Sequence, residues 1–180
     1  MGFTKIKKTP DTPCHNLPLS LLYHKKLIMN NVKIKPFKVI GISVRTTNEN
    51  GQAGKDIPVL WEEMISEDIL NSIPNKIDNT IYSIYTDYEK DHTKPYTTVL
   101  GCEVENLDNI PEGMVGYSFD GGDYLKFTVK GDVSKDLVIN EWIKIWNMDL
   151  ERIFTADFEV YGQKAQNPLD AEIDIFIAVK

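Results

Sequence analysis

The sequence predicts an α+β fold in which a strand–helix–strand–strand unit occurs twice. Segments with period-two alternation, typical of strands, surround two segments with helical spacing, in the same order in both halves. Short matches also align, residues 59–62 with 140–143 and 82–85 with 158–161, which indicates a duplication. Short connectors favour antiparallel pairing, so we expect a curved, mainly antiparallel sheet with one main helix per half. A pseudo-twofold axis between the halves predicts a central cleft, where ligands commonly bind.

The first half covers about residues 32–106. Its predicted elements are a strand over 32–46, a helix over 57–73, and strands over 80–88 and 96–104. Pro36 interrupts the first strand. The helix has Asp56 as a candidate N-cap and Pro58 in its first turn, and Pro74 ends it.

The second half covers about residues 117–180, after a connector over 107–114. Its predicted elements are a strand over 123–130, a helix over 136–150, and strands over 156–162 and 171–179. Ser134 or Asp136 is expected to cap the helix. The last two strands are separated by a turn at Asn167 and Pro168, which predicts a hairpin.

Residues 1–31 are expected to be a disordered leader or linker, because they combine three prolines with scattered lysines and show no period. A natural start at Met29 is an alternative that would leave this leader without function. The domain proper is expected to span residues 32–180.

The charge of the chain and its motifs exclude several classes of function. Of the net charge of −7, residues 1–31 carry +4 and the remainder −11. An acidic body repels phosphate backbones, which argues against direct nucleic-acid binding, although solubility alone also accounts for acidity. Two distant cysteines form no disulfide framework, so we expect a reducing, cytoplasmic location. No metal-ligand spacing, cofactor motif or membrane-spanning apolar run is present in the sequence.

The strand over residues 156–162 carries the most informative pattern. Alternation places Phe158 and Val160 on one face and Asp157, Glu159 and Tyr161 on the other. A carboxylate beside an aromatic ring is what a pocket for an organic cation requires. The same pattern also fits an ordinary solvated strand face, so the residues alone leave both interpretations open.

Four segments together resemble the GyrI-like family: residues 83–89, 121–131, 157–161 and 172–180. The resemblance covers residues 32–180 and is to the small-molecule effector-binding domain that also forms the C-terminal part of multidrug-responsive transcription regulators. It implies a central, aromatic-lined pocket for lipophilic cations with a buried glutamate. Glu159 occupies the matching position in this chain, which favours the pocket interpretation.

The duplication and the resemblance together suggest which side chains surround that glutamate. Tyr85 and Tyr161 occupy matching places in the repeats, as do Trp61 and Trp142. Core packing or cross-strand pairing on the surface is the alternative for each of them. The complete set of predicted ligand-binding residues is Glu159, Tyr85, Tyr161, Trp61, Trp142, Trp146, Tyr124 and Phe119, with Phe119 and Tyr117 on a connector that could form a lid.

The leading interpretation is a stand-alone module that captures an amphipathic, cationic small molecule without any cofactor. It could act as a transcription or drug-response effector through a protein partner, because residues 1–31 are too short for a helix-turn-helix. One alternative is a small-molecule hydrolase with Glu159 as base or nucleophile and Tyr85 or Tyr161 as proton donor. The resemblance also leaves open a gyrase-inhibitor-like interaction module.

Overall fold

The computed structural model describes residues 30–180. Of the predicted leader, residues 1–29 lie outside the described residues, and Asn30 and Asn31 begin the first strand. The strands are β1 (Asn30–Ile34), β2 (Phe37–Thr46), β3 (Lys76–Thr86), β4 (Tyr96–Val104), β5 (Val115–Phe119), β6 (Gly122–Gly131), β7 (Ala156–Tyr161) and β8 (Ala171–Ala178). The helices are α1 (Ala53–Ser66), α2 (Ile69–Ser72) and α3 (Leu137–Trp146).

All eight strands form a single antiparallel sheet in the order β1-β6-β8-β7-β3-β4-β2-β5. The equivalent strands of the two halves are β1 and β5, β2 and β6, β3 and β7, and β4 and β8. When each strand is exchanged for its equivalent, the order read from one end of the sheet equals the order read from the other. The pseudo-twofold axis therefore passes between β3 and β7, at the centre of the sheet. This arrangement confirms the predicted α+β class and the duplicated strand–helix–strand–strand units.

Each half also contributes a leading strand to the opposite half, which the sequence analysis did not predict. β1 precedes β2 but pairs with β6, while β5 precedes β6 but pairs with β2. Only Lys35 and Pro36 connect β1 to β2, a distance of roughly 10 Å at most. The sheet must therefore curl until its two ends approach one another.

The aromatic core shows which face of the curled sheet is the inner one. Phe37 on β2 and Phe158 on β7 lie three strands apart, yet their ring centroids are 5.4 Å from each other. Tyr124 and Phe176 pack against the same Phe158 ring. No helix of the described chain contributes to this cluster. The helices cover the opposite, outer face, where α3 packs through Trp142 and Ile145 and α1 through Leu60 and Met64.

The helices begin and end at other residues than the sequence predicts. α1 begins at Ala53 with Gln52 at the N-cap position, so Asp56 lies within the first turn and is not the cap. The Asp56 carboxylate instead accepts a hydrogen bond from Thr46 Oγ1 at 2.7 Å. The predicted first helix is divided at Asp68, which has a left-handed φ of 53°.

α3 is shorter than the predicted 136–150 and follows Asp136, whose φ is 56° and whose side chain makes no capping hydrogen bond. Ser134 does not cap α3 either, because it lies within the preceding 3₁₀ turn, which Asp132 caps. Within residues 30–180, no helix has both the length and the apolar character that a membrane crossing requires.

Candidate functional site

A cavity of about 430 Å³ lies on the outer face of the sheet, between α1 and α3 and above the centre of the sheet. It is located where the pseudo-twofold axis emerges, as the predicted cleft requires. Its walls come from both helices, from the central strands and from the loop between β3 and β4. The lining residues are Asn48, Ala53, Gly54, Ile57, Pro58, Trp61, Tyr85, Tyr88, His92, Tyr96, Asp136, Val138, Ile139, Trp142, Trp146, Glu159 and Tyr161.

Glu159 forms the polar centre of this cavity. Its side chain points to the helix-covered face of β7, and the residue is only 2% exposed. Glu159 Oε1 accepts hydrogen bonds from Trp142 Nε1 at 2.5 Å and from Tyr85 Oη at 2.8 Å. Glu159 Oε2 accepts one from Tyr161 Oη at 2.6 Å. Three donors on three different elements therefore hold the carboxylate in a single orientation.

The electrostatics of Glu159 reflect two opposing effects. Burial raises the pKa of its carboxyl group above the ordinary value of 4.5, while the hydrogen bonds from its three donors act to lower that pKa. Burial, together with the nearby carboxylate, also holds the pKa values of Tyr85 and Tyr161 well above 10. Both phenols therefore remain protonated donors at neutral pH. Within the described part of the chain, no lysine or arginine forms an ion pair with Glu159.

Asp157, on the same face of β7, is a buried carboxylate of a different kind. Its Oδ2 accepts hydrogen bonds from Arg152 Nη2 at 2.6 Å and from Tyr88 Oη at 2.9 Å, and its Oδ1 accepts one from the Ala178 amide at 2.8 Å. Arg152, whose side chain is 6% exposed, balances the charge of Asp157 inside the fold. Of these two neighbouring carboxylates, only Asp157 has a cationic partner among the described residues.

His92 and Asn48 shape the end of the cavity nearest to Arg152. The His92 ring stacks on Trp146, with ring centroids 5.4 Å apart and planes 5° from parallel. Burial, and to a smaller extent the Arg152 guanidinium, lowers the pKa of His92 below 6.5. Asn48 Nδ2 donates to the His92 carbonyl at 2.9 Å, and Asn48 Oδ1 accepts from Tyr96 Oη at 2.7 Å.

The structure brings six of the eight predicted site residues together around this cavity: Glu159, Tyr85, Tyr161, Trp61, Trp142 and Trp146. Trp142 combines both interpretations that the sequence allowed, since it packs in the core and also lines the cavity. Trp61 contacts Tyr161 edge to face, with ring centroids 4.9 Å apart.

Tyr124 and Phe119 are corrections to the predicted set. Both lie in the aromatic cluster on the inner face of the sheet, whereas the cavity lies on the outer face. Phe119 belongs to β5 rather than to a connector, and its ring stacks on Tyr117 at 5.8 Å inside the sheet. Neither aromatic residue forms a lid.

Five polar lining residues were not predicted as site residues: Asn48, Tyr88, His92, Tyr96 and Asp136, of which Asp136 was considered only as a helix cap. Tyr88 and His92 belong to the loop between β3 and β4, and a loop has no period that would assign its side chains to a face. Tyr96 is the first residue of β4, where the alternation that identifies a face has only begun. The one sequence feature that could have indicated them is the closeness of Tyr88 and Tyr96 to Tyr85 along the chain.

Comparison with known proteins identifies the family. A family model described as the integron-associated effector binding protein, Cass2, matches residues 32–179. The chain belongs to this family. The family is related to the GyrI-like fold, which confirms the resemblance noted from the sequence.

Individual relatives agree with this assignment. The candidate transcriptional regulator YobU of Bacillus subtilis (strain 168) is 32% identical over 145 residues, which cover 78% of this chain and 90% of YobU. The integron cassette protein VCH_CASS2, from the mobile metagenome of Vibrio cholerae, is 31% identical, with a TM-score of 0.66 over 84% of this chain and 95% of its own.

A second solved structure, SAV2435 bound to tetraphenylphosphonium, shares the fold with a TM-score of 0.66 at 15% identity, over 84% of this chain and 93% of its own. The family model and the match to YobU together show an effector-binding fold related to transcription regulators.

Proposed function

We propose that this protein binds lipophilic organic cations in the cavity between α1 and α3 and serves as an effector-binding module. The observation that carries the proposal is Glu159: a buried carboxylate at the centre of an aromatic cavity, without a cationic partner among the described residues. Asp157, two residues away, shows how the same strand neutralises a carboxylate that serves the fold.

The charge of the ligand follows from the cost of burying Glu159. Removing a carboxylate from water costs several kcal/mol, and hydrogen bonds from neutral donors offset only part of this. A cation that enters the cavity supplies the missing opposite charge. Organic cations with dispersed charge suit such a site, because they lose less hydration than a compact ammonium group does.

The hydrophobic character of the ligand follows from the walls. Trp61, Trp142 and Trp146 line the cavity together with the tyrosines, and aromatic faces attract a desolvated cation by about 0.5–2 kcal/mol each. A volume of about 430 Å³ lies in the range of small-molecule sites. The solved complex of SAV2435, which has the same fold, contains a cation of this class, tetraphenylphosphonium.

The same geometry favours binding over the hydrolase alternative. A proton donor needs a pKa near the working pH, whereas the pKa values of Tyr85 and Tyr161 lie well above 10. Both Glu159 oxygens already accept hydrogen bonds, which lowers their nucleophilicity. Binding of a cation requires neither proton transfer nor a free lone pair.

The direct test is calorimetric titration with tetraphenylphosphonium and with triphenylphosphine oxide, which has similar rings but no net charge. Glu159→Gln removes the charge of the side chain and retains its size. The phosphonium donates no hydrogen bond, so its contact with Glu159 is Coulombic, and at an effective dielectric constant of about 20 two charges roughly 6–8 Å apart attract by about 2–3 kcal/mol. The variant should therefore bind the phosphonium at least about tenfold more weakly. The affinity for the neutral oxide should stay nearly constant.

Glu103→Gln is the matched control, because it removes one negative charge from the opposite face of the sheet, where Glu103 accepts a hydrogen bond from Tyr82. This variant should bind both ligands as the wild type does. Equal phosphonium affinity in Glu159→Gln and in the wild type would exclude the proposed role of Glu159.

A further inference from the structure

We propose that the cavity prefers elongated dications, with one positive group beside Glu159 and a second beside Asp136. This inference rests on the proposed function and specifies the class of ligand further. It starts from the charges on the cavity wall. Among residues 30–180, the wall contains two carboxylates, Glu159 and Asp136, and no lysine or arginine.

Asp136 is available for a ligand. It is exposed, it lines the cavity, and among the described residues it forms no ion pair. Its side chain also makes no capping hydrogen bond to α3, although Asp136 occupies the N-cap position. The neighbouring Asp132, by contrast, accepts hydrogen bonds from Ser134 and pairs with Lys135. The Asp136 carboxylate therefore retains its acceptor capacity at the cavity wall.

α3 sets the separation of the two acids. Trp142, which donates to Glu159, lies six residues after Asp136, and a helix rises about 1.5 Å per residue. The Cα atoms of Asp136 and Trp142 are therefore separated by roughly 9 Å along the helix axis, which places Asp136 well away from the carboxylate that Trp142 contacts. The wall between them includes Val138 and Ile139, which are apolar. Two acids joined by an apolar surface match a molecule with two cationic ends and an apolar linker.

An acidic residue at the start of a helix also has a purely structural explanation, because it interacts favourably with the helix dipole. The φ of 56° at Asp136 likewise suits Asp or Asn. Affinity measurements separate the structural role of Asp136 from a ligand-binding role. If Asp136 only stabilises α3, its substitution should change the affinities for a dication and for a monocation equally. Asp136→Asn is the appropriate variant, because asparagine tolerates the same backbone conformation.

The experiment compares hexamethonium, which has two trimethylammonium groups on a six-carbon linker, with hexyltrimethylammonium, which has one. Both are titrated by calorimetry into the wild type, Asp136→Asn and Glu62→Gln at low salt. Exposed ion pairs are weak, so we expect Asp136→Asn to lower the ratio of dication to monocation affinity by roughly three- to fivefold. In 0.5 M salt this difference should shrink, because exposed charges are screened.

Glu62→Gln is the matched control, because Glu62 is an exposed acid of α1 that does not line the cavity. Its affinity ratio should equal that of the wild type. An unchanged ratio in Asp136→Asn, or an equal fall in Glu62→Gln, would overturn the dication inference while leaving the monocation site intact. If the monocation does not bind to the wild type either, the proposed function fails and the dication inference fails with it.

Discussion

Binding of a permanent cation should depend on pH mainly through Glu159. Tetraphenylphosphonium does not titrate, so any pH dependence arises from the protein. Burial raises the pKa of Glu159 above 4.5, so its titration is to be sought above that pH. A protonated Glu159 offers no charge to the ligand. The affinity should therefore rise with pH from 4.5 until Glu159 is fully ionised in the free protein, and should then become constant.

The magnitude follows from linkage between one proton and one ligand. Below the pKa of Glu159 in the free protein, the association constant should change about tenfold per pH unit, or about 1.4 kcal/mol. Above that pKa the slope should be zero. Tyr161→Phe removes one donor to the Glu159 carboxylate, which raises the Glu159 pKa further. In Tyr161→Phe, the pH at which the association constant stops rising should therefore be higher than in the wild type.

The assay is calorimetry from pH 4.5 to 8 in pairs of buffers with different ionisation enthalpies, which counts the protons released on binding. Up to one proton should leave Glu159 in the wild type at low pH, and this release should be missing in Glu159→Gln. His92 also lines the cavity and titrates below pH 6.5, so His92→Gln identifies its contribution. A flat profile in the wild type, or the same slope in Glu159→Gln, would refute the role given to Glu159.

The stability of the ligand-free protein provides a second measurement of the same pKa. Because the pKa of Glu159 is raised in the folded state, the protein holds this proton to higher pH than the unfolded chain does. The corresponding stabilisation is complete below pH 4.5 and is lost as the pH rises through the folded-state value. Thermal melts should show this loss in the wild type, relative to Glu159→Gln.

Three further variants test the fold by denaturant unfolding. Asp157→Asn leaves the Arg152 charge unpaired in the interior and should cost about 3–5 kcal/mol, part of which Arg152→Met should restore in the double variant. Gly101→Ala places a Cβ 2.3 Å from the Ile40 carbonyl oxygen, so it should destabilise by at least about 1–3 kcal/mol. Gly54→Ala meets nothing within 4 Å inside α1 and should stabilise by about 0.5–1 kcal/mol. Unchanged stability in the first two would contradict the packing described.

The sequence predicted the central strands well because their alternation is strong. On β7, Phe158 contacts the inner core, while Asp157 and Glu159 point to the helix-covered face, as period two requires. The alignment of the two repeats was equally informative. It matched Ser83 to Glu159, and in the structure these residues are direct partners across β3 and β7. The location of the site on the symmetry axis could therefore be derived before any coordinates.

The pairing of β1 and β5 with strands of the opposite half could not be derived from the sequence in this way, and neither could the loop residues that line the cavity. β5 has five residues and contains Gly116, so its alternation is too short to distinguish it from a connector. Its pairing with β2 depends on the curl of the whole sheet, which local patterns do not encode. Tyr124 was misplaced for a related reason, because alternation assigns a residue to one of two faces without indicating which face carries the cavity.

A symmetric duplication would place identical residues at the centre of the sheet, whereas in this protein the two repeats differ at the proposed ligand site. Ser83 and Glu159 face each other as partners on adjacent strands, with Cα atoms roughly 4.5–5.5 Å apart. Two glutamates at this separation inside the fold would repel each other and would share a proton rather than both ionise.

Ser83 instead donates a hydrogen bond to Tyr85 Oη at 3.3 Å, and Tyr85 in turn donates to Glu159. One repeat thus supplies the charge and the other supplies part of the network that orients it. The axis can hold a single ionised acid because the two halves have diverged at this pair of positions.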